Sequence, residues 1–491
     1  MPSYRILYLL SIVAASSMGQ NTSPAPVWWP KYQYLSQNAE DRAPGKGASA
    51  TVGSNVNVSN ECGPQSETFI TVNSGNSSVL AAGSNEIFRD PMRGYFSSDG
   101  GRTWGGVDLP LPAAQGANGH RFGSDPSLAF DSRGNAFYSY IVVFFGNGNG
   151  ITGTEMAVAR SSNGGQSYPF VNYFSFSSGT DHFNDKPMIA ADSNANSPFR
   201  DNVYVAWDAA AGGSTSGGLR FARSTDHGNT FSVQRIDNPS GPGQVIAAIP
   251  FIGPGGEVYV AWNDYAANTI AFNRSFDGGA TFGSPSVVAN KSIPFDIGIP
   301  AISFRRALVY PSCDADRSTG THRGRLYCAW TDLTANGTTD ILASFSDDKG
   351  TTWSAPVSVT DRLHIAVDRF YQWLSVDPVT GVVNISFYDT RNDTTGQRYM
   401  TDVYFTKTTD GLAWASPNTR VSNASSNEHD CNGVFPCSAI DYGNQYGDYE
   451  GLVSFGGISH PIWTDSRDQQ NFASGCRANQ AMEEVFTATV R

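Results

Sequence analysis

The sequence predicts an all-β fold, a seven-bladed β-propeller, and three observations predict it. A short turn phrase returns six times, seven pairs of alternating apolar segments accompany it, and no stretch sustains a helical period of 3.6 residues. Composition agrees: 51 glycines, 21 tyrosines and 29 phenylalanines against only 15% charged residues suit many short strands joined by tight turns.

The phrase is clearest at Ser97-Ser98-Asp99-Gly100-Gly101-Arg102-Thr103-Trp104. It recurs at 161–168, 224–231, 275–282 and 346–353, and in worn form at 408–414. Its residue types describe a hairpin turn: Ser and Asp side chains cap backbone N–H groups, Gly supplies positive φ, and the aromatic closes the turn. Copies about 50 to 70 residues apart mark a unit that cannot bury its faces alone and must stack on its neighbours.

The inner hairpins of the blades read as 66–72 with 79–83, 125–131 with 136–142, and 185–192 with 203–207. They continue as 246–252 with 257–262, 308–314 with 325–330, 371–376 with 382–387, and 448–454 with 459–463. Six turn phrases alone would count six blades; seven hairpins count seven. The last unit continues into 484–490 and then lacks one strand. Residues 54–59, whose Val-Asn-Val-Ser-Asn run resembles the outer edge of blade six, are expected to supply it and close the ring. Residues 1–19, with Arg5 before an apolar run over 6–15, read as a secretory signal peptide, 20–53 as an N-terminal extension, and 54–491 as the propeller.

A net charge of −12 argues against a nucleic-acid partner, and the one apolar run is too short to span a membrane. An extracellular, secreted monomer is expected. Six cysteines, an even number, suit an oxidising compartment. Cys313–Cys328 would bridge adjacent strands of one hairpin, Cys431–Cys437 would tie off a mouth loop, and Cys62–Cys476 would lie near the closure. Nine N-x-S/T sequons accompany them. No metal-ligand spacing and no cofactor motif is present, although Asp-rich mouth loops are compatible with structural calcium.

Propeller geometry puts the repeated turns at one end and the loops entering inner strands at the other, the mouth. Arg89, Arg121, Lys186, Arg305, Arg306, Arg369, Arg391, Arg398, Arg467 and Arg477 all fall in mouth-side segments. In an acidic chain this gathering points to an anionic ligand, because Arg and Lys must hold it locally. Arg121, Lys186 and Arg369 are the candidates for gripping a carboxylate. His120 and His182 are the candidates for proton transfer, and Tyr371 for an accessory acid. The matching phrases Asp389-Thr390-Arg391 and Asp465-Ser466-Arg467 read instead as ion pairs that pin loops.

The S-x-D-x-G-x-T-W pattern and strand phrases such as Tyr259-Val260-Ala261-Trp262 resemble the Asp-box (BNR-repeat) propellers of the sialidase-like superfamily. Sialidases carry an arginine triad beginning in an F/Y-R-I-P phrase; the nearest phrase here is Phe88-Arg89-Asp90-Pro91. Seven blades in a secreted chain are similar to the propeller polysaccharide lyases, such as the fungal rhamnose–glucuronate lyases. That likeness implies a uronate carboxylate neutralised by Arg or Lys, a C5 proton taken by His or Tyr, and an acid assisting departure of the O4 substituent. The expectation is therefore a secreted enzyme that cleaves an acidic oligo- or polysaccharide by β-elimination. Sialidase-like hydrolysis and non-catalytic glycan binding are the alternatives.

Overall fold

The computed structural model describes residues 50–61, 64–87, 89–115, 119–145, 151–178, 182–210, 217–302, 306–361, 366–429, 446–467 and 483–491. Seven antiparallel sheets follow one another along the chain, and no helix interrupts them among the described residues. Blade 1 shows the plan, running from inner to outer strand as Gln65–Val72, Leu80–Glu86, Arg93–Ser97 and Gly105–Asp108. The inner strands of blades 2 to 7 are His120–Phe130, Phe183–Ala191, Val245–Ile252, Ser312–Ala315, Arg369–Val376 and Gly451–Phe455.

Inner strands are buried on both faces, which is why Val-Ile-Ala-Ala-Ile-Pro-Phe-Ile in blade 4 is a continuous apolar run rather than an alternating one. Second strands carry the large plugs between blades: Trp207, Trp262, Trp330 and Trp463 are almost fully buried. Burying one such side chain contributes roughly 1.5–3 kcal/mol.

The ring closes as expected. Val56–Asn57 pairs antiparallel with Phe486 and Thr487, completing a sheet whose other strands come from the chain's last segment. Backbone pairing starts before residue 54, with Thr51 N–H donating to Arg491 O at 2.9 Å and Gly53 N–H to Thr489 O at 2.8 Å. Cys313 and Cys328 sit directly opposite each other and form the expected disulfide. Cys62, Cys431, Cys437 and Cys476, and with them the other two pairings, lie outside the described residues. One strand differs from expectation: 308–314 is not continuous. Ala307–Leu308 pairs with Asp296–Ile297 in a small separate hairpin at the mouth, and only Ser312–Ala315 enters blade 5.

The repeated turns are near copies of one another. In the first, Ser97 Oγ donates to Asp99 Oδ1 at 2.8 Å and accepts from Gly101 N–H at 3.0 Å. Asp99 also accepts from Thr103 N–H at 3.0 Å and from Thr103 Oγ1 at 2.7 Å. The fourth repeats this set with Ser275, Asp277, Gly279 and Thr281. Two successive left-handed residues make the turn, Gly100 and Gly101 in the first copy and Lys349 and Gly350 in the fifth.

Candidate functional site

The mouth is shaped by a feature that five blades share. Their inner strands slip register between Ser66 and Phe69, Ser124 and Ser127, Asp185 and Met188, Ile246 and Ile249, and Phe370 and Trp373. Inside each slip one residue takes positive φ: Glu67 at 52°, Asp125 at 63°, Lys186 at 50°, Ala247 at 62° and Tyr371 at 49°. Such a conformation costs a non-glycine residue roughly 1–3 kcal/mol and persists where the surroundings enforce it. Asp125 and Lys186 also precede prolines, which by themselves favour an extended residue there. The enforcement is visible between blades. Asp125 N–H donates to Asn85 Oδ1 of blade 1 at 2.7 Å, and Lys186 N–H donates to Asp125 Oδ2 of blade 2 at 3.0 Å.

These bulges bring Glu67, Asp125 and Lys186 to a cavity of about 480 Å³ at the mouth. Its lining combines acidic residues, Glu67, Asp125, Asp185, Asp296 and Asp448, with apolar ones, Phe122, Ile141, Val143, Ile151, Phe183 and Ile246, and Lys186 lines it too.

Lys186 is buried and ion-paired to Asp448, and its Nζ lies 3.9 Å from Glu67 Oε1. Burial alone would lower its proton affinity, but Asp448, Glu67, Asp185 and Asp125 outweigh that and hold it well above the ordinary lysine range. Glu67 in turn accepts from Asn85 Nδ2 at 2.8 Å.

Asp125 and Asp185 are driven apart. Burial would raise Asp125, yet Lys186 beside it and hydrogen bonds from neighbours that include Asp185 and Ser124 hold it below the usual carboxylate range. Asp185 goes the other way: burial raises it well above that range, with the Asp125 charge adding to the effect against the pull of Lys186. The two carboxyls are thus coupled, with Asp185 the more readily protonated of the pair. Asp208, fully buried behind them, is raised by burial as well.

Of the six residues singled out from the sequence, Lys186 lines this cavity, engaged with Asp448. Tyr371 is buried at the bulge of blade 6 and its hydroxyl donates to Arg306 O at 3.3 Å. Arg369 lies in the scaffold, its side chain only 4% exposed, with Nε 2.7 Å from Asp389 and Nη1 3.4 Å from Asp340. His120 stands on the rim of blade 2 with its side chain 57% exposed, 3.4 Å from Asp90. Arg121 beside it donates through Nε to Pro112 O at 2.8 Å. The His182 ring is 3.1 Å from Asn184 Oδ1, which also accepts from Trp207 Nε1 at 2.8 Å. The structure therefore does not bring these six to one point. The loop-pinning pairs are as expected: Arg391 binds Asp389 at 2.6 Å and Asp361 at 2.9 Å, and Arg467 binds Asp465 at 2.6 Å.

The acidic residues of the cavity were missed. A signal existed in Ser124-Asp125-Pro126 and Asp185-Lys186-Pro187, where a charged residue precedes proline at the head of consecutive inner strands. Among the described residues, no group of three or more His, Cys, Asp or Glu side chains is placed to hold a metal ion. No helix long and apolar enough to cross a membrane is present among them.

No family model and no curated protein matches the chain. Solved structures that resemble it include an intramolecular trans-sialidase from leech, at 14% identity over 76% of this chain and 71% of that one, with a TM-score of 0.46. The NanB sialidase of Streptococcus pneumoniae is 10% identical over 75% and 70%, with a TM-score of 0.43. A Penicillium chrysogenum α-L-arabinanase is 14% identical over 63% and 94%, with a TM-score of 0.39. The propeller is shown by the chain's own strand order.

Proposed function

We propose that the protein is a secreted, monomeric glycan-cleaving enzyme whose active site is the mouth cavity, with Asp125 and Asp185 as its proton-transfer pair. The observation that supports this most is the set of bulges. Three adjacent blades place a charged residue in a strained left-handed conformation, and all three of those residues line one cavity. Strained backbone of this kind clusters where side chains must be aimed rather than merely packed.

The charge of the cavity favours hydrolysis over elimination. Cleavage of a glycosidic bond by water develops positive charge on the sugar ring, whereas elimination develops negative charge at C5. With Asp185 protonated, the lining carboxylates Glu67, Asp125, Asp296 and Asp448 outnumber the cations Lys186 and Arg306. That surround stabilises the first transition state and opposes the second. Asp185 gives its proton to the glycosidic oxygen as the C1–O bond breaks. Water adds its hydroxyl to C1, and its proton returns to the carboxyl pair. The scheme uses no cofactor. Arg306, 65% exposed and 3.0 Å from Asp296, is the cation that would meet a carboxylate on the sugar, which keeps acidic glycans the first substrates to assay.

The test is product analysis on a panel of acidic and neutral glycans with the wild type and Asp185→Asn. Saturated reducing sugar that disappears in the variant is the expected result. Absorbance at ~235 nm would mean an unsaturated uronate and elimination instead. Tight binding with no product would make the protein a lectin.

A further inference from the structure

Blade 2 is built differently from its neighbours. Its strands His120–Phe130, Ala136–Phe145, Ile151–Ser161 and Phe170–Ser178 have 11, 10, 11 and 9 residues. Those of blade 4 have 8, 7, 7 and 5. At the far end both blades terminate in the same turn, at Ser161 and Ser275, so the surplus lies at the mouth. Three or four extra residues raise that edge by about 10 Å. The raised part carries aromatic packing of its own: Phe122 stacks on Phe145 at 5.7 Å, and Phe144 meets Phe176 at 6.0 Å. Ile151, at its top, is 44% exposed yet lines the cavity.

The cavity wall formed here by Phe122, Ile141, Val143 and Ile151, and extended by Phe183 of blade 3, offers side chains with neither hydrogen-bond donors nor acceptors. A sugar ring pressed against it would bury hydroxyls without partners, at roughly 1–3 kcal/mol for each one left unpaired. The carboxylates line the same cavity, with Asp125 and Asp185 two or three residues along the strands that carry Phe122 and Phe183. A ligand that meets both linings is polar at one end and apolar at the other, and the rings of Phe122 and Phe183 suit an aromatic group there.

We propose that the raised wall of blade 2 is a binding subsite for an aromatic group, so that the substrate is a glycan whose sugar faces the carboxylates and whose leaving group is an aryl alcohol. The identity of the polar end rests on the reading of the cavity as a glycan-cleaving site; the aromatic subsite does not. Phe122 and Ile151 determine its specificity.

The probe is p-nitrophenol, titrated by calorimetry into the full chain as wild type, Phe122→Ala, Ile151→Ser and Asp185→Asn. Wild type and Asp185→Asn should bind it alike, and both wall variants should bind about tenfold or more weakly. Near-ultraviolet circular dichroism checks that Phe122→Ala is folded; if it is not, Ile151→Ser decides, since an exposed edge residue tolerates the change. Failure of the wild type to bind at millimolar concentration, or equal binding by the folded wall variants, overturns the subsite. Binding with the expected pattern but no hydrolysis of any aryl glycoside overturns the aryl leaving group and leaves the aromatic subsite standing, and absence of product from every glycan of the panel as well overturns the glycan-cleaving reading.

Discussion

At the far end of the propeller, the repeated turns conserve backbone and side chain together. Ser, Asp and Thr hold the same positions in four of the six copies, and each of those carboxylates answers to donors within four residues of itself. At the mouth, five bulges conserve the backbone but not the side chain, which is Glu67, Asp125, Lys186, Ala247 or Tyr371. Two of these residues take partners from other blades: Asn85 for Asp125, and Asp448 for Lys186. Where the chain repeats a side chain, a local turn has to be made; where it repeats only a conformation, the side chain has been freed to vary. That contrast is the physical basis for placing chemistry at the mouth.

The largest effects are expected from removing mouth charges. Asp185→Asn cannot donate a carboxyl proton, and turnover should fall by ~10²–10⁴ with the fold intact. Lys186→Met should lose activity and stability together, because Asp448 and Glu67 then remain buried without their cation, a change of about 3–5 kcal/mol. Urea unfolding reads the second effect. If Lys186→Met is as stable as the wild type, the cage is not the organised site described here.

The two ends should also answer to pH with opposite sign. At the mouth, Glu86 is pushed up to about 8, chiefly by burial and then by Glu61. A folded value above the unfolded one means stability is fully present below about 4.5 and is lost as pH rises through about 8, by roughly 4–5 kcal/mol in total. At the far end, burial, and secondarily Arg491, pushes His460 down to about 4. The folded state resists its protonation, so stability is present above about 6.5 and is lost as pH falls toward 4, by roughly 3 kcal/mol. Unfolding free energies measured from pH 4 to 9 should therefore peak on the mildly acidic side of neutral. Glu86→Gln should make only the alkaline limb shallower, because burial also pushes Glu450 up to about 8 and Glu483 to about 7, and His460→Gln should make only the acid limb shallower. A variant that flattened the wrong limb would reverse the assignment.

The same contrast explains what the sequence discloses. Each repeated turn is complete within eight residues, so blade number and ring closure could be read from local chemistry and counting. The bulges left no comparable mark, because positive φ falls on Glu, Asp, Lys, Ala and Tyr instead of glycine, and its cause lies some 40 residues away in the preceding blade. Lys186 was legible as a mouth cation, but Asp448, which binds it, is contributed by blade 7. Arg369 illustrates the converse error. It lies at the mouth end of an inner strand, as read, yet it turns to Asp389, the same carboxylate that Arg391 pins. Position along a strand was predictable, whereas the partner a long side chain selects was not.

The smallest effect is expected at the far end. Asp277→Ala removes the acceptor for Thr281 N–H, Thr281 Oγ1 and Ser275 Oγ in a turn that is open to water. By analogy with lost helix caps the cost is about 1 kcal/mol, and turnover should not change. Asp277→Asn should recover most of that loss, because the second turn already works with an amide. There Asn163 Oδ1 accepts from Ser161 Oγ at 2.7 Å and from Ser167 N–H at 3.1 Å, while its Nδ2 donates to Ser167 Oγ at 2.9 Å. Thr281 Oγ1 can accept from the new amide in the same way. Thermal unfolding of the two variants beside the wild type measures the difference. A loss of turnover in Asp277→Ala without a loss of stability would give the far end a functional role and erase the distinction between the two ends.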